Sequence, residues 1–217
     1  MQNFIPHLIL TKLMGILANS KNKMIKSLLI RSFIKLYKPA IEEALVSDVS
    51  KYPTYNSFFI RQLKKEARPI ETSKLSVVSP VDGTIIDHGH LKNNMLLQAK
   101  KHTYSVNELL GEEEKIDRSQ SYFITIYLAP TDYHRIHCPF DGYIESTLHL
   151  GKSLFSVNKK AQNNIPLLYI KNERALMKVN HELLSYSLVS IGASIVGSIV
   201  PFWTNEKTKS RQDYIRE

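Results

Sequence analysis

The sequence predicts an α+β protein: N-terminal amphipathic helices followed by a β-rich domain. Two observations carry this reading. Residues 7–18 and 24–38 place apolar side chains at the i, i+3, i+4 spacing of a helix. After Pro69 the texture changes to short β-branched and aromatic runs separated by Gly, Pro, Asn or Asp. A third observation narrows the class. With 43% hydrophobic and 23% charged residues the chain is neither disordered nor fibrous, and its one cysteine, Cys138, excludes an internal disulfide. A single cysteine also fits a reducing compartment.

Charge separates the two regions. Residues 1–41 hold Lys12, Lys21, Lys23, Lys26, Arg31, Lys35 and Lys38 and no acid, so +7 of the net +9 lies in the first fifth of the chain. These cations alternate with Leu, Ile, Met and Phe, whereas a nucleic-acid arm is richer in Arg and poorer in Leu and Ile. The apolar run Phe4–Leu17 is broken by Pro6, His7 and Lys12, which argues against a secretory signal and a spanning helix. Two readings of the helices remain: a stripe packed on the protein, or interfacial insertion with lysines at anionic head groups. In the second helix the expected stripe is Ile25, Leu28, Leu29, Ser32, Phe33 and Leu36. The implied division is a helical membrane-associating region, 1–68, and a β-rich domain, 69–217.

Further along, residues 41–70 read as helical turns and loop, closed by Pro69. Strands are expected in VVSPVDGTIIDHG, MLLQAK, SYFITIYLAP, YHRIHCPFDGYIESTLHL, ALMKV and LLSYSLVSIGASIVGSIV. A short helix and an acidic loop are expected over 105–118. The last residues, NEKTKSRQDYIRE, read as a polar tail.

The densest chemistry is Asp132, Tyr133, His134, Arg135, Ile136, His137 and Cys138, just after the apolar run YFITIYLAP. Two histidines three apart at a strand exit can converge on one cleft as acid and base, although a single histidine is more often structural. Zinc is a rival reading, but no Cys-x-x-Cys or His-Glu-x-x-His pattern supplies further ligands. Asp82, between Pro80-Val81 and Gly83, is either a turn residue or a carboxylate that orients a histidine.

The blocks SPVDG, LLQAKKHTYSVNELLG, YLAPTDYHRIHCPFDG, LFSVNKKAQNNIPLLYIKNER and VSIGASIVGSI, with YPTYNSFFIRQLKKEARPI upstream, resemble the phosphatidylserine decarboxylases in order and spacing. The resemblance implies a proenzyme that converts phosphatidylserine to phosphatidylethanolamine and carbon dioxide. It implies roles for Asp82 and His137 in autocatalytic cleavage, and for His134 in decarboxylation. The implied cofactor is a pyruvoyl group made from the chain's own serine, whose ketone engages the substrate amine and serves as electron sink. The implied partners are a phospholipid membrane at the cytoplasmic face of the cell membrane, phosphatidylserine and a second copy in a homodimer, with no nucleic acid and no metal.

In that family the cleavage serine lies in a Leu-Gly-Ser-Thr motif several dozen residues beyond the VSIGASIVGSI block. The expectation is that this serine is absent from residues 1–217, leaving a C-terminally truncated, inactive chain. Gly197-Ser198 lies inside that block, in an expected buried strand, and is not the cleavage site. The alternatives are a non-catalytic membrane-binding remnant of the same scaffold, and a zinc hydrolase built on His134, His137 and Asp82.

Overall fold

A computed structural model describes residues 7–99, 102–112, 118, 120–203 and 214–216. The N-terminal pattern forms helices α1, His7–Ala18, and α2, Lys23–Tyr37. Asn22 caps α2 by accepting from the N–H groups of Met24 and Ile25, satisfying two otherwise unpaired donors. Lys38 closes it in the left-handed region, φ 49°, with its N–H on Ile34 O.

The buried face of α2 is not the expected stripe. Ile30 and Phe33 are buried, while Leu28 and Leu36 remain 68% and 71% exposed. The helix is rotated because Phe33 meets an aromatic cluster made by the next segment. Its ring lies 5.7–6.0 Å from Tyr55, Phe58 and Phe59, in edge-on contacts that aromatic quadrupoles favour. Lys26 also faces inward, donating to Ser50 O at 2.8 Å and Tyr52 O at 2.5 Å.

Residues 41–70 do form turns: 3-10 turns at Val49–Lys51 and Lys65–Ala67 flank α3, Tyr55–Phe59. A reciprocal Thr54–Ser57 capping box starts α3 and sets Phe58 at full burial.

Strand β1, Thr84–His90, pairs with β4, Tyr122–Tyr127. The antiparallel hairpin of β2, Met95–Ala99, and β3, His102–Ser105, leads into α4, Val106–Leu110, started by a Ser105–Glu108 capping box. The largest sheet runs in the order β7-β6-β5-β8, all antiparallel: β5 Tyr143–Leu150, β6 Arg174–Asn180, β7 Tyr186–Ile191 and β8 Tyr214–Arg216. Strand β6 is central and buried on both faces from Arg174 to Met177. Leu148, Leu176, Leu109, Leu110 and Leu168 form the core around it. Burying each such leucine contributes roughly 1.5–3 kcal/mol. Two helices not expected from the sequence, α5 Lys159–Asn164 and α6 Leu168–Lys171, cover this core.

The long expected strand to residue 200 ends early. β7 stops at Ile191, the chain reverses between Ala193 and Val196, and Gly197-Ser198 is irregular. The carbonyl of Gly192 accepts from the buried Asn172 amide, and Ile195 and Ser198 take φ 62° and 58°, outside any ladder. The chain before Tyr143 likewise forms no strand through YHRIHCP.

Contacts divide the chain into two compact units. One joins Gly89–Phe123, the chain from Gly142 onward and the residues before Leu13; the other joins Leu13–His88 and Ile124–Asp141. Residues 69–88 and the histidine loop thus group with α2 and α3.

Candidate active site

All the candidate site residues lie in the unit that holds α2 and α3. Asp82 occupies the turn before β1. Gly83 follows it at φ 139°, where an added Cβ would stand 2.5 Å from Tyr127 O. Arg68 grips the Asp82 carboxylate with a fork, Nε to Oδ1 at 2.8 Å and Nη2 to Oδ2 at 2.6 Å, and reaches Glu43 Oε2 at 2.9 Å. The Tyr133 backbone amide also favours the ionised Asp82 carboxylate. The Arg68 hydrogen bond, against a smaller opposing effect of burial, holds the Asp82 carboxyl below the usual carboxylate range.

The loop after β4 is set by Asp132, whose carboxylate accepts from Ala129 N at 2.7 Å while its own N–H returns to Ala129 O. His134 Nδ1 lies 2.8 Å from Asp132 O. A carbonyl only accepts, so Nδ1 carries the proton and Nε2 presents its lone pair. The His134 ring rests on Phe59 at 4.1 Å, and burial lowers its pKa, keeping it neutral near pH 7. Arg135 ties the loop back through Nε to Ile60 O at 2.8 Å.

His137 is exposed. Its N–H donates to Pro80 O at 2.8 Å, its Nε2 faces Tyr133 Oη at 3.2 Å, and the two rings stack 5.6 Å apart. Asp82 and the histidine loop are therefore joined through Pro80 and Tyr133, with no hydrogen bond between the Asp82 and His137 side chains among the described residues. Cys138 is exposed. Among the described residues no group of three or more His, Cys, Asp or Glu is placed to hold a metal.

Sequence reasoning missed Arg68 and Glu43, and it missed the bridging position of Tyr133. Arg68 and Asp82 are 14 residues apart with no periodicity to link them. Tyr133 stood in the singled-out cluster, but its part as the bridge appears only in three dimensions.

A family model described as phosphatidylserine decarboxylase matches residues 55–215, and a second, described as PSD, matches residues 1–38. The chain belongs to the phosphatidylserine decarboxylase family. Among its relatives, a phosphatidylserine decarboxylase proenzyme of Francisella philomiragia is 39% identical over 94% of this chain and 72% of its own length. Proenzymes of Vibrio parahaemolyticus and Idiomarina loihiensis are 39% and 40% identical, over 97% and 95% of this chain and 75% and 72% of their lengths.

Proposed function

We propose that this chain is a phosphatidylserine decarboxylase in its proenzyme form, in which Asp82 and His137 serve self-cleavage and His134 serves the decarboxylation. The observation that carries the division of labour is the His134 ring: Nδ1 is committed to Asp132 O, and the pKa is lowered, so a neutral Nε2 is ready to accept a proton. A pyruvoyl group, when formed, supplies the electron sink for the carbon that loses carbon dioxide. His134 fits beside such a group because the substrate amine must shed a proton before it reacts, and Nε2 can take that proton. The same nitrogen then returns it to the substrate carbon, and the product amine takes up its proton from water on release.

His137 is the base for a serine hydroxyl, and Asp82 is its ionised carboxylate neighbour in the same turn-and-loop assembly. The cleavage serine is proposed to be that of the family's Leu-Gly-Ser-Thr segment. Substrate access and the membrane belong to the same reading. The exposed apolar residues of α1 and α2 among lysines support a peripheral, membrane-bound enzyme of phospholipid biosynthesis at the cytoplasmic face. No described helix is long and apolar enough to cross a membrane.

The test uses the chain joined to a relative's C-terminal segment carrying that motif. His137→Ala and Asp82→Asn leave one uncleaved species by mass spectrometry. His134→Ala still gives two chains, with turnover reduced about 10²–10⁴-fold. Failure of His134→Ala to cleave, with normal cleavage in His137→Ala, reverses the assignment.

A further inference from the structure

Arg61 presents an anomaly. It is 4% exposed, in the turn that follows α3, yet among the described residues its guanidinium makes no hydrogen bond and no ion pair, and its Nε is buried without a partner. Its guanidinium lies over the face of Phe58, with Cζ 5.5 Å from the ring centroid. A cation–π contact at such a site is favourable. It offsets only part of the cost of burying an unpaired charge. Buried polar groups are satisfied in folded proteins, and an orphan next to a cavity indicates something that fills it.

Arg61 lines a cavity of about 240 Å³ that Lys38, Arg68, Asp82, Asp132 and Tyr133 also line. The acids around this cavity have hydrogen-bond partners. Asp82 and Glu43 are held by Arg68, and Asp132 accepts from the neutral Ala129 N and Thr131 hydroxyl. Among the described residues, the cations lining this cavity that make no ion pair are Arg61 and Lys38. A planar fork of N–H donors over an aromatic face is suited to a carboxylate or phosphate oxygen pair. The volume accommodates a group of that size.

We infer that Arg61, assisted by Lys38, forms an oxyanion-binding site in this cavity, one that takes a carboxylate or phosphodiester group of an aminophospholipid headgroup. The site is argued from burial, charge and space alone. Its assignment to a headgroup rests on the proposed function, and its position beside Asp82 and Tyr133 puts the anion next to the histidine loop.

The test is binding to the chain as it stands, so cleavage and turnover play no part in it. Acetate, inorganic phosphate, glycerophosphoserine and glycerophosphoethanolamine are titrated by calorimetry and thermal unfolding at constant ionic strength. Saturable binding of both glycerophospho compounds and of phosphate assigns the phosphodiester. Saturable binding of glycerophosphoserine and acetate, without glycerophosphoethanolamine, assigns the carboxylate. In either case Arg61→Gln weakens binding at least tenfold, and Lys38→Gln weakens it by a smaller factor. Lys38 is exposed, so its variant folds and serves as the readout if Arg61→Gln does not. The inference fails if no probe binds saturably, or if affinity is unchanged in the variants. A decarboxylation reading that failed in the cleavage assay would leave these binding results intact, and the two failures are therefore distinct.

Discussion

At the residue scale, the pairing of Asp82 with Arg68 makes a prediction with a sign. The folded-state pKa of Asp82 is depressed, chiefly by the Arg68 hydrogen bond. Its contribution to stability is therefore present above the usual carboxylate range and is lost as pH falls through the folded pKa. Arg68→Gln should raise the Asp82 pKa, seen in the carboxyl carbon titration by NMR. The urea midpoints of variant and parent should differ near neutral pH and converge in acid. Glu43→Gln should shift Asp82 less, because Glu43 acts on it only through Arg68. An unmoved Asp82 titration in Arg68→Gln would overturn the assignment of cause. The dense local motifs PVDG and YHRIH single out Asp82, His134 and His137 as candidates in the sequence. Their partners were not legible. Arg68, Glu43, Phe59 and Pro80 reach them across gaps of 14 to 75 residues, and only packing brings such pairs together.

At the element scale, both N-terminal helices were legible to within a residue, because a 3.6-residue period is a local signal. Which face of α2 is buried was not legible. Every candidate stripe was apolar, and Phe33 was the residue common to the expected and observed faces. The cluster of Phe33 with Tyr52, Phe58 and Ile30 predicts that Phe33→Ala costs about 3–5 kcal/mol in unfolding free energy. Leu36→Ala, on the exposed side, should cost well under 1 kcal/mol. Equal losses in the two variants would restore the original stripe. The β7 end was misread for a related reason. VSIGASIVGSI has strand composition throughout, but Asn172, fully buried, takes Gly192 O and both backbone groups of Phe155, diverting the chain into a reversal.

At the scale of the whole molecule, the charge map and the exposed apolar residues meet on the same two helices. Ile9, Leu13 and Ile16 of α1 and Met24, Leu28 and Leu36 of α2 are all more than half exposed. Lys12, Lys21, Lys23 and Lys35 are exposed too, while Lys26 is committed to two backbone carbonyls. Binding to vesicles containing phosphatidylglycerol should weaken as salt rises. Lys23→Glu with Lys35→Glu should reduce it by roughly an order of magnitude or more, at about 1 kcal/mol for each lost positive charge. Lys26→Gln should instead lower stability, with little direct effect on the vesicle partition. Undiminished binding in the double variant would assign these helices to packing alone. The α+β class followed from the sequence because helical and strand periodicities occupy separate stretches of it. The grouping of residues 69–88 and 124–141 with the helices did not, since no composition change marks it.

The close approach at Gly83 carries a consequence at the level of the gene. A side chain there meets Tyr127 O at 2.5 Å and the Ile126 side chain at 3.0 Å, in a backbone conformation that L-residues rarely adopt. Glycine alone lacks a Cβ, so every missense change in this codon, whichever base is altered, introduces the same collision. Position 83 has no neutral neighbour in the genetic code, and a saturation library at this codon should recover only synonymous variants among those that keep the strand pair.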